Sequence, residues 1–413
     1  MINNQIILLE MTDGQTVNGV SRYIEMFLLG TQKYNLNIVY LKFIKYKSVI
    51  LPKILNQKYY KEIQIPLPCN LSTILNEQYW NKDYINTTYN IIKNEITQGC
   101  ILHIHTMNLI GFARYVKKQK NATIIAHIHC IPWKYLFKYD LKKFNCIYSE
   151  IYQNQKGANK YNFISKEEKE ISKYADSIIC VTRDAAMFFQ KHLRTPSSKL
   201  FLVYNGLHEC SSSMKPYKKS DTIRLLFVGQ ISKSKGIIPI LEMLGVLIKE
   251  GVQAKLTLVG AEDKEICTLL DTKYSYYNIK RFGQVQYEQL IKLYQENDIG
   301  LIPSFFEQCS YTAIEMMMFG LPVIFANHDG LKEIFTKKVA IPLNVTFSES
   351  LGLTINVYEF ANIIKLLKEK PSKINFYKRK IREHYSKRFN LDSMISKTLN
   401  IYKKIHAHET PRD

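Results

Sequence analysis

The sequence lacks several features that would place it in common functional classes. It contains no apolar run near the roughly eighteen residues of a membrane-spanning helix. A Walker loop and a G-x-G-x-x-G pattern are also absent, which disfavours a P-loop NTPase and a nicotinamide enzyme. The eight cysteines form no C-x-x-C pair, so we expect reduced thiols in a cytosolic protein. The short run Ile6 to Leu9 has no basic flank or cleavage site and predicts a first buried strand, not a signal peptide.

Acidic side chains are scarce relative to basic ones. The chain has 36 Asp and Glu against 57 Lys and Arg, a formal net charge of +21. Such a surface attracts anions, which include phosphates, nucleic acid and an acidic membrane leaflet. The sequence is also rich in Lys, Asn, Ile and Tyr, a bias that an AT-rich genome imposes by itself. The charge alone therefore assigns no function.

The hydrophobic pattern predicts the fold class. A chain of 413 residues is long enough for two domains. Short apolar runs alternate with helical patterns in two consecutive sets, which indicates two Rossmann-like, doubly wound α/β domains facing across a cleft. Continuous Val, Ile and Leu runs are typical of parallel strands covered on both faces. We predict strands at Ile6–Glu10, Asn37–Phe43, Ile101–His105, Thr123–Ile128, Ser177–Val181, Leu200–Val203, Arg224–Gly229, Lys255–Gly260, Ile299–Pro303 and Pro322–Ala326.

The domain limits follow from one polar stretch. Residues 207–222 contain serines and a proline, show no apolar periodicity and are predicted to form a linker. We therefore expect an N-terminal domain at 1–206 and a C-terminal domain at 223–385. Residues 386–413 are predicted to form a C-terminal helix and tail that pack back toward the N-terminal domain. The helical pattern there runs from Ile381 to Ile405 and is basic.

The most informative stretch is Leu301–Ala326. A buried strand is predicted to end at Pro303, and Ser310 is a good N-cap for a helix over Tyr311–Phe319. The amides of Ser310, Tyr311 and Thr312 would point out of this helix start, together with the positive end of its dipole. Such a place can bind a diphosphate without a lysine at that spot.

Two carboxylates frame the predicted helix start, Glu307 in the loop and Glu315 about one turn into the helix. Carboxylates in these places can accept hydrogen bonds from sugar hydroxyls, Glu315 from a ribose and Glu307 from a second sugar. In the alternative interpretation Glu307 is a solvated loop acid and Glu315 a helix-surface residue. The apolar run Met316–Met318 beside Glu315 favours its burial.

This E-x7-E frame, followed by F-G-L-P-V-I, resembles the donor-site signature of family 4 glycosyltransferases. These are GT-B enzymes of the group 1 type, related to bacterial glycogen synthase, sucrose synthase and many mannosyltransferases. Further motifs resemble theirs in the same order along the chain. They are Asn18-Gly19-Val20-Ser21, Ala175-Asp176-Ser177, Val203-Tyr204-Asn205-Gly206, and Leu226-Phe227-Val228-Gly229 with Lys235-Gly236.

The resemblance implies a retaining hexosyltransferase, with residues 1–206 binding the acceptor and residues 223–385 binding the nucleotide sugar. It would move a hexose or N-acetylhexosamine from a UDP- or GDP-sugar to an acceptor hydroxyl, in bacterial glycoconjugate synthesis. The acceptor would be a polysaccharide, a lipid-linked sugar or a peptide, and nucleic acid is not an expected partner. A peptide is included because A-H-I-H-C-I-P-W-K is similar to a subgroup linked with maturation of ribosomal peptides. No cofactor and no metal are implied, and the absence of D-x-D disfavours metal-dependent GT-A enzymes.

The resemblance also implies a role for individual residues on the donor side. Lys235 would bind the diphosphate and Glu315 the ribose, while Glu307 would hold the donor sugar as a catalytic residue. The backbone of Ser310, Tyr311 and Thr312 would hold phosphate oxygens, and Gly19 would let the chain approach them closely. Asn205 and Gln230 complete the implied donor site.

On the acceptor side the resemblance implies His129 as the active-site histidine after an N-domain strand. His127 stands two residues earlier and on the same strand face, so the assignment between the two stays open. His127 and Trp133 are the acceptor-side candidates.

Two departures from the family pattern concern the donor site. Gln230 stands where arginine is usual, and His208 where aspartate is common. Glutamine can bind phosphate but brings no charge. Either Lys233 compensates or the donor binds more weakly.

Four other interpretations concern these residues and the basic charge. The pairs His103/His105 and His127/His129 could each bind zinc, but Glu and Cys at ligand spacing are lacking, so no metal site is expected. A GT-B nucleotide-sugar epimerase would need further acids around the sugar, and a basic binding protein with an inactive fold would have no use for the glutamate pair. The segment Ile131–Phe144 interleaves aromatics with lysines, which leaves open a cytoplasmic protein attached to the inner face of an anionic membrane.

Overall fold

The computed structural model divides the chain into two compact units. It describes residues 2–12, 18–44, 51–67, 82–132, 134, 160–210, 216–348, 350 and 352–409, with backbone alone for 160–165 and 406–409. Unit 1 runs to His208, except that 133–141 group with unit 2, and it takes up the chain again at Leu391. Unit 2 contains Glu209–Asn390. Each unit is described by itself below.

Unit 1 is a mostly parallel sheet flanked by helices. Its strand order is β3-β4-β2-β1-β5-β6-β7-β8, and the β3–β4 pair is antiparallel. Leaving out the edge strands β3 and β8, the order is that of a doubly wound sheet, which changes direction between β1 and β5. The strands are β1 Ile6–Thr12, β2 Ile38–Ile44, β3 Lys53–Asn56, β4 Lys61–Pro66, β5 Ile101–Ile104, β6 Thr123–Ile128, β7 Ser177–Cys180 and β8 Leu200–Leu202. The helices are α1 Gly19–Thr31, α2 Lys82–Ile92, α3 Ile110–Lys120, α4 Lys160–Tyr174 and α5 Arg183–His192.

Unit 2 repeats the same topology with a parallel sheet of order β11-β10-β9-β12-β13-β14. Its strand order reverses between β9 and β12. The strands are β9 Ile223–Val228, β10 Ala254–Val259, β11 Ile279–Arg281, β12 Ile299–Ile302, β13 Val323–Ala326, β14 Ile341–Leu343, and the hairpin strands β15 Val345–Ser348 and β16 Gly352–Ile355. The helices are α6 Ile237–Lys249, α7 Lys264–Asp271, α8 Tyr287–Glu296, α9 Tyr311–Met318, α10 Leu331–Ile334, α11 Val357–Glu369 and α12 Pro371–Arg388. Short 3₁₀ turns in the two units cover Gln32–Tyr34, Met107–Leu109, Ser197–Lys199 and Lys233–Lys235.

The predicted fold class, two α/β units with parallel sheets, is confirmed. The ten predicted strands are present with ends shifted by at most two residues. Strands that the sequence did not indicate lie mostly at sheet edges. β11, for example, reads Ile-Lys-Arg and has two exposed residues, so it lacks the continuous apolar run that marks a buried strand.

The predicted helix over Ile381–Ile405 is wrong as a single element. α12 ends at Arg388, and a separate helix, α13 Leu391–Glu409, follows after two residues. The Leu391 amide donates a 2.8 Å hydrogen bond to the Leu207 carbonyl, and α13 belongs to unit 1. α13 packs closely on α1, as shown by Gly30, where an added Cβ would lie 2.5 Å from Ile395.

Within the described residues, every helix is too short or too polar to cross a bilayer.

Candidate functional site

The start of α9 lies at the carboxyl edge of the unit 2 sheet, directly after β12. Ser310 caps the helix, and its hydroxyl accepts a hydrogen bond from the Ala313 amide at 3.4 Å. Ser310, Tyr311 and Thr312 are all half-buried, so this first turn is partly open to solvent. The orientation of backbone N–H groups at a helix start makes it suited to an anion. The predicted helix Tyr311–Phe319 has the observed start and N-cap, and it ends one residue later than α9.

Glu315 lies one turn further into α9 and is buried, with 8% of its surface exposed. The Tyr294 hydroxyl of α8 donates a 2.7 Å hydrogen bond to its Oε2 atom. The Tyr294 ring stacks in turn against Phe319, with ring centroids 5.2 Å apart. The interpretation of Glu315 as a helix-surface residue is therefore wrong, because its side chain is buried. As expected for a buried polar group, the carboxylate is hydrogen-bonded, which fixes its orientation.

Lys235 and Glu307 form an ion pair at the same edge. The Lys235 Nζ atom donates to Glu307 Oε1 at 2.5 Å, and the two side chains are 31% and 15% exposed. Lys235 ends the 3₁₀ turn after β9, and Glu307 lies in the loop after β12. The Phe305 amide donates to the Ser234 carbonyl at 3.1 Å, which ties the two loops together. The strand-order reversal between β9 and β12 thus brings a lysine and a carboxylate together beside the start of α9.

Asp329 fixes the Glu307 loop, and the sequence analysis missed it. Its buried carboxylate accepts the Glu307 amide at 3.1 Å, the Gln308 side-chain amide at 2.9 Å and Lys134 Nζ at 2.9 Å. The residue has a left-handed backbone (φ 51), a conformation that aspartate tolerates better than most residues. The Gly330 amide adds a 2.8 Å bond to the Glu307 carbonyl. An Asp-Gly pair that begins three residues after the end of a buried strand was the available sequence signal.

Gln230 and Lys233 are placed toward α7. The Gln230 side-chain amide donates to Asp263 Oδ1 at 2.8 Å, and both groups are on the surface. Lys233 forms an exposed ion pair with Glu265. Compensation by Lys233 for the missing arginine and weaker binding of the donor both stay predictions.

Unit 1 holds the other predicted site residues. Asn18 caps α1, accepting the Val20 and Ser21 amides at 2.8 Å and 3.0 Å. Gly19 follows it in an exposed position, where an added Cβ would meet nothing within 4 Å. Packing among the described residues therefore does not require glycine there. Asn205 is buried after β8, and Trp133 lies outside the described residues.

His129 and His127 differ in exposure, which bears on the choice left open between them. His127 is 1% exposed within β6, whereas His129 follows the strand and is half-buried. His129 Nε2 lies 3.1 Å from His105 Nδ1, and His127 Nδ1 lies 3.2 Å from His103 Nε2. Burial lowers the pKa of His129 to about 3, so its ring is neutral at physiological pH. Of the two, His129 is the histidine that a ligand could reach.

The loop that carries Lys235 depends on Gly236. This residue has φ 76, and a Cβ would lie 2.1 Å from the Pro303 carbonyl oxygen. We expect Gly236→Ala to destabilise the protein by about 2–5 kcal/mol, the sum of left-handed strain and a backbone clash. Urea unfolding followed by circular dichroism measures this free energy.

Gly251→Ala is the matched control for that substitution. Gly251 has a similar φ of 71, but a Cβ there would meet nothing within 4 Å. Its expected cost is about 1–2 kcal/mol, from the left-handed backbone alone. Equal costs at the two positions would contradict the close approach of Gly236 to the β12 loop.

Comparisons with known proteins bear on fold and family. Residues 212–382 match the family model described as "Glycosyl transferases group 1". An uncharacterized glycosyltransferase of Methanocaldococcus jannaschii is 26% identical over 231 residues, which are 51% of this chain and 55% of that protein. The chain spans about half the length of the curated relatives it matches.

Solved structures resemble the chain over almost its whole length. Sucrose-phosphate synthase of Thermosynechococcus elongatus has a TM-score of 0.73 at 16% identity, covering 98% of this chain and 100% of that one. HepE of Anabaena, solved in complex with UDP-glucose, has a TM-score of 0.66 at 14% identity and covers 96% and 99%. At these identities the likeness shows the fold, which is GT-B, as the sequence predicted.

Proposed function

We propose that this protein is a retaining glycosyltransferase that takes its sugar from a nucleoside-diphosphate donor. The observation that carries the proposal is the arrangement at the start of α9. An ion-paired Lys235 and Glu307 stand beside an anion-binding helix start, with the buried Glu315 one turn away. The match of residues 212–382 to group 1 glycosyl transferases supports it independently.

Each group in this arrangement suits one part of the donor. The Lys235 ammonium and the α9 amides supply positive charge for the diphosphate, so the proposal needs no metal ion there. Glu315 is fixed by Tyr294 to accept ribose hydroxyls. Glu307 is partly exposed, so it can accept hydroxyls of the transferred sugar. These acceptors are charged, and hydrogen bonds to charged groups are worth about 1.5–3 kcal/mol.

The proposed reaction exchanges one bond at the anomeric carbon for another on the same face. The bond from this carbon to the phosphate oxygen breaks, and a bond to the acceptor oxygen forms. The acceptor proton passes to the departing phosphate, and the electron pair stays on the diphosphate. Lys235 and the α9 dipole then stabilise the charge that develops on the leaving group, which is catalysis by positioning and electrostatics.

For the donor we propose a UDP- or GDP-sugar carrying a hexose or N-acetylhexosamine. A solved protein of the same fold binds UDP-glucose, which supports the UDP alternative. For the acceptor we keep polysaccharide, lipid-linked sugar and peptide, in bacterial glycoconjugate synthesis. We place His129 on the acceptor side, because its ring is neutral and half-buried at a strand end. A cytoplasmic location, at an anionic membrane surface when the acceptor is lipid-linked, remains part of the proposal.

A thermal-shift screen against UDP, GDP, ADP and their sugar conjugates tests the proposal. A ligand at about 100 times its Kd adds about 2.7 kcal/mol to the stability of the folded state. We therefore expect one base to raise the Tm by several degrees, and its sugar conjugate to do the same. Each shift is measured within one buffer, with or without EDTA, so that any effect of EDTA on the protein itself cancels.

The outcome of the screen decides between the open alternatives. A shift that persists in EDTA supports a donor site that works without a metal ion on the diphosphate. Consumption of the donor without any acceptor, to give an epimeric sugar nucleotide, would favour the epimerase. The absence of a shift with all the nucleotides would overturn the proposal in favour of a basic binding protein.

A further inference from the structure

Four histidines form one cluster inside unit 1, which we call the histidine cluster: His103, His105, His127 and His129. The parallel strands β5 and β6 are paired so that His103 lies opposite Ile125 and Ile104 opposite Ala126. The next opposite pair is therefore His105 and His127. Because alternate residues of a strand share a face, both His-x-His pairs project from the same side of the sheet. The aromatic rings of Tyr23, Phe27 and Tyr402 pack around them.

Among the described residues, two nitrogen atoms of the cluster are buried without a hydrogen-bond partner. They are the Nε2 atoms of His105 and His127, whose residues are 3% and 1% exposed. Leaving a buried polar group unsatisfied costs about 1–3 kcal/mol. Two such atoms in one place therefore favour a bound species, such as an ion, that the described residues do not provide.

The geometry of the cluster fits a metal ion. His103, His105 and His127 each offer one ring nitrogen, and these three atoms all lie within 4.8 Å of one another. A single ion with metal–nitrogen distances of about 2.0–2.1 Å can contact three nitrogens after small rotations of the rings. Within the part of the chain that the structure describes, this is the group whose side chains could hold a metal ion.

The chemistry of the side chains also suits a metal ion. A neutral imidazole ring has a lone pair for coordination, so each of the three histidines can supply one nitrogen ligand.

Outer hydrogen bonds orient two of the rings. The Tyr402 hydroxyl lies 2.7 Å from His103 Nδ1, and His129 Nε2 lies 3.1 Å from His105 Nδ1. When each Nδ1–H donates to these partners, the Nε2 lone pairs of His103 and His105 are left for the ion, as in most histidine metal sites. His127 Nδ1 lies 3.2 Å from His103 Nε2, a contact that is given up when His103 Nε2 coordinates the ion and that leaves His127 Nε2 as the third ligand.

We propose that His103, His105 and His127 bind one transition-metal ion of the Zn²⁺ class, which stabilises unit 1 by joining β5 to β6. Imidazole nitrogens without carboxylates favour such an ion over Mg²⁺ or Ca²⁺. Through Tyr402 the same site is linked to α13. Each His-x-His pair alone provides only two ligands. The pairing of β5 with β6 brings His127 beside His103 and His105 as the third ligand. This site is separate from the residues proposed to hold the donor diphosphate.

The test uses the full-length protein without a polyhistidine tag, expressed with added zinc. Inductively coupled plasma mass spectrometry should find about one zinc ion per chain. After removal of metal with a chelator, added Zn²⁺ should raise the Tm, and Co²⁺ should give the visible absorption of a nitrogen-bound ion. Less than about 0.1 ion per chain, together with no Tm change on adding Zn²⁺, Ni²⁺ or Co²⁺, would overturn the proposal.

Variants assign the site to these residues. His105→Gln and His127→Gln should each abolish stoichiometric binding, whereas His208→Gln, at an exposed position of the same unit, should keep it. Tyr402→Phe keeps the ring and should weaken metal affinity about tenfold. If the two cluster variants fold, as judged by circular dichroism, and retain the metal, the assignment is wrong. If they do not fold, Tyr402→Phe and the zinc content of the wild-type protein decide. Nucleotide-induced Tm shifts are measured in the same samples, so a failure of this site is distinguished from a failure of the proposed function.

Discussion

Lys235→Ala should lower kcat/KM by tenfold or more and raise the KM for the donor. The expected loss is on the order of 1.5–3 kcal/mol, because the substitution removes a charge-assisted contact to the diphosphate. The ion pair with Glu307 at 2.5 Å shows that the ammonium group lies beside the proposed sugar-binding carboxylate. Initial-rate kinetics with the donor found in the thermal screen measure the effect.

A comparison of ligands tests the role given to Lys235. The variant should bind the nucleoside diphosphate more weakly but the free nucleoside as well as wild type does, since only the former carries phosphates. Lys249→Ala is the matched control, because Lys249 ends the helix that Lys235 and Gly236 precede, and it is exposed. Its kinetics should stay within about twofold of wild type, the range of a small surface effect. Unchanged kinetics in Lys235→Ala, or an equal loss of nucleoside binding, would refute the diphosphate assignment.

Glu315→Ala should weaken binding of the nucleotide itself by about tenfold to a hundredfold. The reason is the loss of a buried carboxylate that accepts ribose hydroxyls, at about 1.5–3 kcal/mol. Isothermal titration with the nucleotide measures the affinity. The variant's Tm is recorded alongside, because removing the side chain also leaves the Tyr294 hydroxyl without this partner.

A deoxyribose analogue makes the ribose assignment specific. Wild type should bind the ribonucleotide more tightly than its deoxy analogue, whereas Glu315→Ala should bind the two alike. Tyr294→Phe is the matched control, because it removes only the hydroxyl that orients Glu315 and should give a smaller loss. A variant that still discriminates between the two nucleotides would show that Glu315 does not bind the ribose.

Much of the fold and of the candidate site at the start of α9 could be predicted from local sequence. Strands such as Thr123–Ile128 and helices such as Ile237–Lys249 are marked by their own residues, through continuous apolar runs, helical periodicity and flanking glycine. The helix start at Ser310 was similarly visible, since an N-cap acts within one turn of chain. The break between α12 and α13 was not, because the apolar periodicity continues across Phe389 and Asn390.

By itself, the sequence determined the two α/β units, the helix start at Ser310 and the chemical types in the site, because these depend on neighbours a few residues apart. The tertiary structure alone decided which distant residues meet. It joined Lys235 to Glu307, held the Glu307 loop on Asp329, and placed the two His-x-His pairs side by side. These contacts depend on strand order and register, β9 beside β12 and β5 beside β6, which backbone hydrogen bonding and burial fix over the whole sheet.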